Sequence, residues 1–254
     1  MRRALPESLQ VGKSGGPHHL PLLVYRLRKY QKREPREAVY QVASRIIDQC
    51  WASRDYQTLA LAVTALLVSW NARVHVGRET SFDKLPDFIR RHYRELCRLR
   101  KLDLHREPAT FSDQGLYNEL LHLLTVKKKN KTSLSTPVGV AKALHILAPR
   151  YFPLWDREIA RKSGHSIGMS PYSYQRFGEK ARQLVKRLVQ TTLLASRARS
   201  EDAALAWLKE QTCTRGLSKT WVKFADEYNY VRHVLEPRDG KRARLGRVGL
   251  QPRP

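Results

Sequence analysis

Apolar residues return at three- and four-residue steps through most of this chain, a spacing that leaves room for little except helices. Val39, Val42, Ala43, Ile46 and Ile47 fall on one helical face, and Leu59, Ala62, Val63, Leu66 and Leu67 repeat the pattern in the next element. Leu85, Phe88, Ile89, His92, Leu96 and Leu99 form a third stripe, interleaved with Arg90, Arg91, Arg94, Arg98 and Arg100, so that one face packs while others can meet phosphate. Leu116, Leu120, Leu121 and Leu124 make a shorter helix. Further helices are predicted over 177–194, 201–209 and 217–230, the last with Trp221, Phe224 and Tyr228 on its core side. No stretch alternates with period two for long enough to require a sheet, so the expected fold class is all-α: a compact, two-lobed helical protein.

The breaks in this pattern suggest three regions. Residues 1–34, rich in Gly, Pro and His and then in Lys and Arg, are expected to form a flexible basic arm. Residues 35–236 carry the helical domain, in one lobe or two. After Pro237 the core pattern stops and Arg238, Lys241, Arg242, Arg244, Arg247 and Arg253 succeed it, so 237–254 reads as a basic tail. Within the domain, 71–80 looks like a connection, with Ser81 or Asp83 able to cap the next helix.

Charge then narrows the partners. With 48 Lys and Arg against 23 Asp and Glu, the formal charge is +25, spread along the chain. A field of that sign attracts polyanions, and nucleic acid, chiefly duplex DNA, is the expected partner rather than a membrane. The longest apolar patch, 59–68, is interrupted by Thr64 and is too short to span a bilayer. The basic start lacks an apolar export segment, so an intracellular protein is expected: cytoplasm or nucleoid in a bacterium, nucleus in a eukaryote. Cys50, Cys97 and Cys213 are far apart and lie in helical patterns, which suggests buried thiols rather than disulfides or a metal cluster.

The most chemically suggestive stretch is Thr136-Pro137-Val138-Gly139-Val140, continuing to Leu147, and then Phe152-Pro153-Leu154-Trp155-Asp156. Thr136 suits an N-cap and Pro137 a first helical position. Gly139 permits close approach, so the amides there, with Lys127, Lys128, Lys129 and Lys131 nearby, are candidates for holding a phosphate. Val140, Ala143, Leu144 and Leu147 anchor the short helix, and Pro149 and Pro153 bracket the turn that leads to Asp156. Asp156 precedes Arg157-Glu158-Ile159-Ala160, a strong helix start. Its carboxylate can cap that helix, worth about 1 kcal/mol, and can also do chemistry.

These pieces resemble the helix-hairpin-helix superfamily of DNA base-excision glycosylases, most strongly over 134–164. In that family a glycine-rich hairpin leads to a short apolar helix and then to a Pro-containing segment whose Asp opens the next helix. The resemblance implies an all-helical enzyme that bends duplex DNA and draws an abnormal base into a pocket between two lobes. It assigns Asp156 as the active-site carboxylate, stabilising the sugar cation as the N-glycosidic bond breaks or orienting water. The hairpin here lacks one family glycine, and the family lysine falls near Val138 or Gly139. Monofunctional hydrolysis is therefore expected over lyase chemistry, with Lys142 as a phosphate contact before a catalytic amine. Trp155, beside the carboxylate, and Trp51 and Trp70, nearer the first helical lobe, are base-pocket candidates, with core packing the more ordinary role for such large rings. His145 reads as packed or locally hydrogen-bonded. No metal or other cofactor is implied. The alternative is a noncatalytic DNA- or RNA-binding protein, or a structural component of a nucleoprotein assembly, with the same basic surface and no pocket at Asp156.

Overall fold

Helix α1 (Leu20–Arg33) already departs from the sequence expectation. Leu20, Leu23, Val24, Leu27 and Tyr30 are buried at helical spacing, so the lysines and arginines between them line the outer face of a packed helix. Arg26 turns inward, donating to Glu236 at 3.0 Å and to the Tyr228 hydroxyl at 2.7 Å, which ties the first helix to the end of the domain. The expected 1–34 arm is thus corrected: 20–33 belong to the core. The computed structural model describes residues 20–70, 81–108, 114–127, 133–134, 136–162, 164 and 170–237. The expected connection 71–80 and most of the expected basic tail, 238–254, lie outside the described residues.

The remaining helices are α2 (Glu37–Cys50), α3 (Tyr56–Trp70), α4 (Leu85–Arg100), α5 (Gln114–Leu123), α6 (Pro137–Leu147), α7 (Arg157–Lys162), α8 (Pro171–Ser196), α9 (Glu201–Gln211) and α10 (Trp221–Tyr230), closed by one π turn, Val231–Leu235. The protein is all-α, with a single exception to the expectation of no sheet. Strand β1 (Val126–Lys127) pairs antiparallel with β2 (Ser133–Leu134) in the register Val126↔Leu134, between α5 and α6. Two-residue strands are too short to leave an alternating signature. The buried apolar side chains of the helices form one continuous core running from α1 to α10.

Helix α6 is the axis of this core. It packs on α2, α3 and α5, and every one of its residues except Val138 is buried, as its apolar sequence requires. Helix α10 lies against α1 and α8. In α2 the expected stripe is rotated: Val42 is 58% exposed, while Glu37, Tyr40, Gln41, Ala43, Ser44 and Ile47 face inward. That rotation turns Glu37 toward the buried lysines of the chain's last third, Lys219 and Lys223. Trp221 and Phe224 are core residues, as expected.

Caps fix the helix starts. Ser170, Ser200 and Thr220 accept hydrogen bonds from the backbone amides of Ser173, Ala203 and Lys223 at 3.2, 3.2 and 3.1 Å. Gly164, at φ +75°, ends the segment begun by α7, as its sequence position suggests. The three thiols are unpaired, and Cys213 is exposed rather than buried because it sits at φ 57° in the turn after α9. Among the described residues no helix is long and apolar enough to cross a membrane.

Helix α8 ends on exposed Arg197 in the left-handed conformation at φ 53°, where a side chain is strained and glycine is not. Arg197→Gly is expected to stabilise the protein by about 1 kcal/mol. Thermal or urea unfolding checks this, read as a rise in midpoint.

Candidate active site

The turn from 148 to 156 is held by side chains from three helices. His145 Nδ1 lies 2.7 Å from the Phe152 carbonyl and its Nε2 lies 2.9 Å from the Tyr40 hydroxyl. A carbonyl only accepts, so Nδ1 carries the proton and Nε2 accepts from Tyr40. Burial pushes this imidazole down to about 3, against the raising effect of the Phe152 bond, so it is a neutral structural pin, as its place on an apolar helix predicts. Tyr174 donates to the Pro153 carbonyl at 2.7 Å. Trp155 is stacked between Tyr174 and Phe177, with ring centroids 5.4 and 5.8 Å away.

With that turn fixed, Asp156 has a defined place. Its Oδ1 accepts from the Glu158 amide at 2.8 Å, the capping role open to it from sequence. It also lines a narrow pocket of about 40 Å³ with Tyr30, Arg36, Trp70, Lys142, Trp155 and Asp226. Capping and a place in a pocket coincide at one residue.

Lys142 is the main correction to the site. It is buried in this pocket, with Nζ 5.2 Å from the centre of the Trp70 ring, so it is not a surface phosphate contact. Burial lowers its ammonium to about 8, while the nearby Asp156 and Asp226 carboxylates pull the other way. A desolvated amine lowered to about 8 is a different reagent from an exposed lysine.

Asp226 enters from α10 with a side chain only 11% exposed, 3.8 Å from Lys223 Nζ. Burial raises its carboxyl to about 7, although Lys223 opposes the rise. Nothing in the sequence marks Asp226. Lys223, Asp226 and Glu227 have the spacing of an ordinary solvated ion pair on a helix face.

Beneath the pocket lies a cluster of buried ions. Lys223 is fully buried, 3.0 Å from Glu37, 3.2 Å from Glu227 and 3.1 Å from the Tyr30 hydroxyl, to which it donates. Its Nζ is also 4.6, 4.8 and 5.4 Å from the ring centres of Tyr30, Tyr40 and Trp70. Lys219 meets Glu37 and Glu227 from the other side. Two pocket walls, Tyr30 and Trp70, therefore rest on one ammonium.

The tryptophan candidates separate. Trp70 and Trp155 line the pocket with Asp156. Trp51 does not: it donates to Cys97 Sγ, stacks on Tyr93 and carries the Arg100 guanidinium 4.2 Å from its ring. The indole N–H of Trp155 is buried with no acceptor among the described residues.

The expected phosphate cradle at the start of α6 is not exposed. Gly139 is buried, and Thr136, 5% exposed, donates its hydroxyl to the Leu124 carbonyl at 3.0 Å and makes no side-chain cap. The β hairpin brings that carbonyl over, a tertiary contact invisible to local pattern. Lys127 lies in β1, while Lys128, Lys129 and Lys131 lie outside the described residues. Most of the α4 arginines are engaged: Arg90, Arg91, Arg98 and Arg100 meet Asp87, Glu119, Glu95 and Asp48. Exposed cations instead flank the pocket in sequence, Lys32 and Arg33 before Glu34, and Arg157, Arg161 and Lys162 after Asp156.

Two larger cavities, about 230 and 300 Å³, lie elsewhere. Their charges are largely spent on one another, through Arg100 with Asp48, Arg150 with Asp103, and His105 and Arg106 with Glu201. No group of three or more His, Cys, Asp or Glu is placed to hold a metal ion among the described residues. No protein-family model, curated protein or solved structure matches the chain.

Replacing Lys223 with Met leaves Glu37 and Glu227 buried with less compensation and is expected to cost about 3–5 kcal/mol. Urea unfolding measures it, and adding Glu227→Leu is expected to recover part of the loss.

Proposed function

We propose that this pocket is the active site of a DNA glycosylase-like enzyme that attacks the sugar of an abnormal nucleotide with the amine of Lys142. One observation carries the reading: Lys142 and Asp156 share a pocket with two tryptophans, and the amine there is desolvated enough to be neutral at modestly alkaline pH. This revises the expected monofunctional hydrolysis, because the lysine on α6 reaches the site that the altered hairpin left without one.

The chemistry is set by the groups present. The Lys142 nitrogen forms a bond to C1′ as the bond to the base breaks, and the Asp156 carboxylate stabilises positive charge developing on the sugar. Ring opening then gives an imine between sugar and lysine, from which the 3′ phosphate can be eliminated. Trp70 and Trp155 wall the pocket, and the Trp155 indole N–H, without an acceptor among the described residues, offers a donor to a flipped base. The exposed Lys32, Arg33, Arg157, Arg161 and Lys162, within a charge of +25, supply the attraction to duplex DNA. An intracellular, nucleic-acid-bearing compartment is the setting this reading requires.

The pocket volume of about 40 Å³ admits a few waters and no base, so entry requires side chains to move. Arg36 is the movable wall. Its side chain is 42% exposed and holds Glu34 and the Tyr230 hydroxyl across the pocket. The same narrowness favours the second reading, a noncatalytic DNA- or RNA-binding protein in which the pocket is only structural.

The test is borohydride trapping on a duplex with an abasic site, alongside base release from duplexes carrying different lesions. The wild type is expected to form a covalent adduct whose yield rises as pH passes about 8, where the Lys142 amine loses its proton. Lys142→Gln is expected to abolish it. Asp156→Asn is expected to slow base release about 10²- to 10³-fold with binding unchanged. An equal adduct from Lys142→Gln moves the amine elsewhere, and neither adduct nor release from the wild type leaves the binding protein.

A further inference from the structure

A second carboxyl group lines the pocket of Lys142, and its surroundings differ from those of Asp156. Asp156 commits an oxygen to the Glu158 amide. Asp226 accepts no hydrogen bond from any described residue, its side chain is only 11% exposed, and its ion-pair partner, Lys223, stands back at 3.8 Å. A buried acid without a donor is costly unless it carries a proton or waits for a partner. It lines the same pocket as Lys142, Trp70 and Trp155.

We infer that Asp226 is the proton donor to the departing base. This rests on the glycosylase reading and adds a named acid to it. As the Lys142 nitrogen bonds to C1′ and the C1′–N bond breaks, the electron pair goes to the base nitrogen, which takes the proton from the Asp226 carboxyl. The products are a neutral base, an Asp226 carboxylate and a cationic Lys142 nitrogen. That new cation and Lys223 flank the new anion, so the charge made in the step is compensated where it appears.

The groups around Asp226 fit the role. Tyr30 comes from α1, and Glu37 acts from α2 through Lys223. Lys142 stands on α6 and Asp156 on the turn before α7. Lys223 and Glu227 belong to α10 itself, and Tyr230 precedes the π turn. The buried face of α8 consists mainly of Tyr174, Phe177, Leu184, Val185 and Leu188. Burial and the neighbouring carboxylates raise the Asp226 carboxyl to about 7, more than Lys223 lowers it, so near neutrality part of the population holds a transferable proton.

The experiment separates departure of the base from reaction of the amine. On the lesion the wild type releases fastest, Asp226→Asn is expected to slow release about 10²-fold at pH 7, and Asp226→Glu to retain most of the rate. On abasic duplex, where no base departs, Asp226→Asn is expected to be trapped by borohydride at least as well as wild type, since loss of a neighbouring anion frees the Lys142 amine. Wild-type release, which needs both the neutral Lys142 amine and the protonated Asp226, is expected to be bell-shaped with a maximum between about 7 and 8, and Asp226→Asn to lose the alkaline limb. Release by Asp226→Asn at the wild-type rate overturns the inference, as does equal loss of release and trapping. A wild type that neither traps nor releases removes the glycosylase reading itself, and the inference with it.

Discussion

One buried ammonium, that of Lys223, holds the middle of this molecule together. It joins α1 through the Tyr30 hydroxyl, α2 through Glu37 and the face of Tyr40, α3 through the face of Trp70, and its own helix through Glu227. Removing such an ion from water costs several kcal/mol, which only many simultaneous partners offset. The cluster divides its burden unevenly. Glu37, between Lys223 and Lys219, is drawn down to about 2 against its own burial, whereas the wholly buried Glu227 is pushed up because desolvation and Glu37 outweigh the same lysines. A fold built this way is specific because the helices that contribute charge must arrive together.

The site inherits its chemistry from that cluster. Tyr30 and Trp70 serve as pocket walls while they also cover Lys223, so water is kept away from Lys142 and Asp226 by residues the core already needs. Exclusion of water moves an amine down and an acid up, toward each other and toward neutrality. On the opposite side, the neutral imidazole of His145 bridges Tyr40 and the Phe152 carbonyl, so the turn that carries Asp156 is referenced to the same helix, α2.

Much of the helical order was legible, because Leu59 to Leu67, Leu85 to Leu99 and Val140 to Leu147 bury the residues their spacing selects. Helix α1 was hidden by its own lysines and arginines, which sit between apolar residues without disturbing them. The rotation of α2 was hidden because Glu37 and Gln41 are polar, and only the distant Lys219 and Lys223 make the burial of Glu37 favourable. At the site, the turn proline pattern placed Asp156 well. A helix start is an anion site only if it is open, and the Leu124 carbonyl takes the Thr136 hydroxyl at this one, while Lys142 is buried farther along the helix beside Trp70. Asp226 left no local trace at all.

In the proposed function, the Arg36 side chain, laid across Glu34 and the Tyr230 hydroxyl, gives access to the pocket a time dependence. A cleft that admits water but no aromatic ring keeps its amine from passing aldehydes, and in the proposed function it ignores bases that stay stacked. Discrimination then begins before any contact with the ring. Under the glycosylase proposal, what is sampled is how long a nucleotide remains outside its helix compared with how often a guanidinium lets go of a phenol.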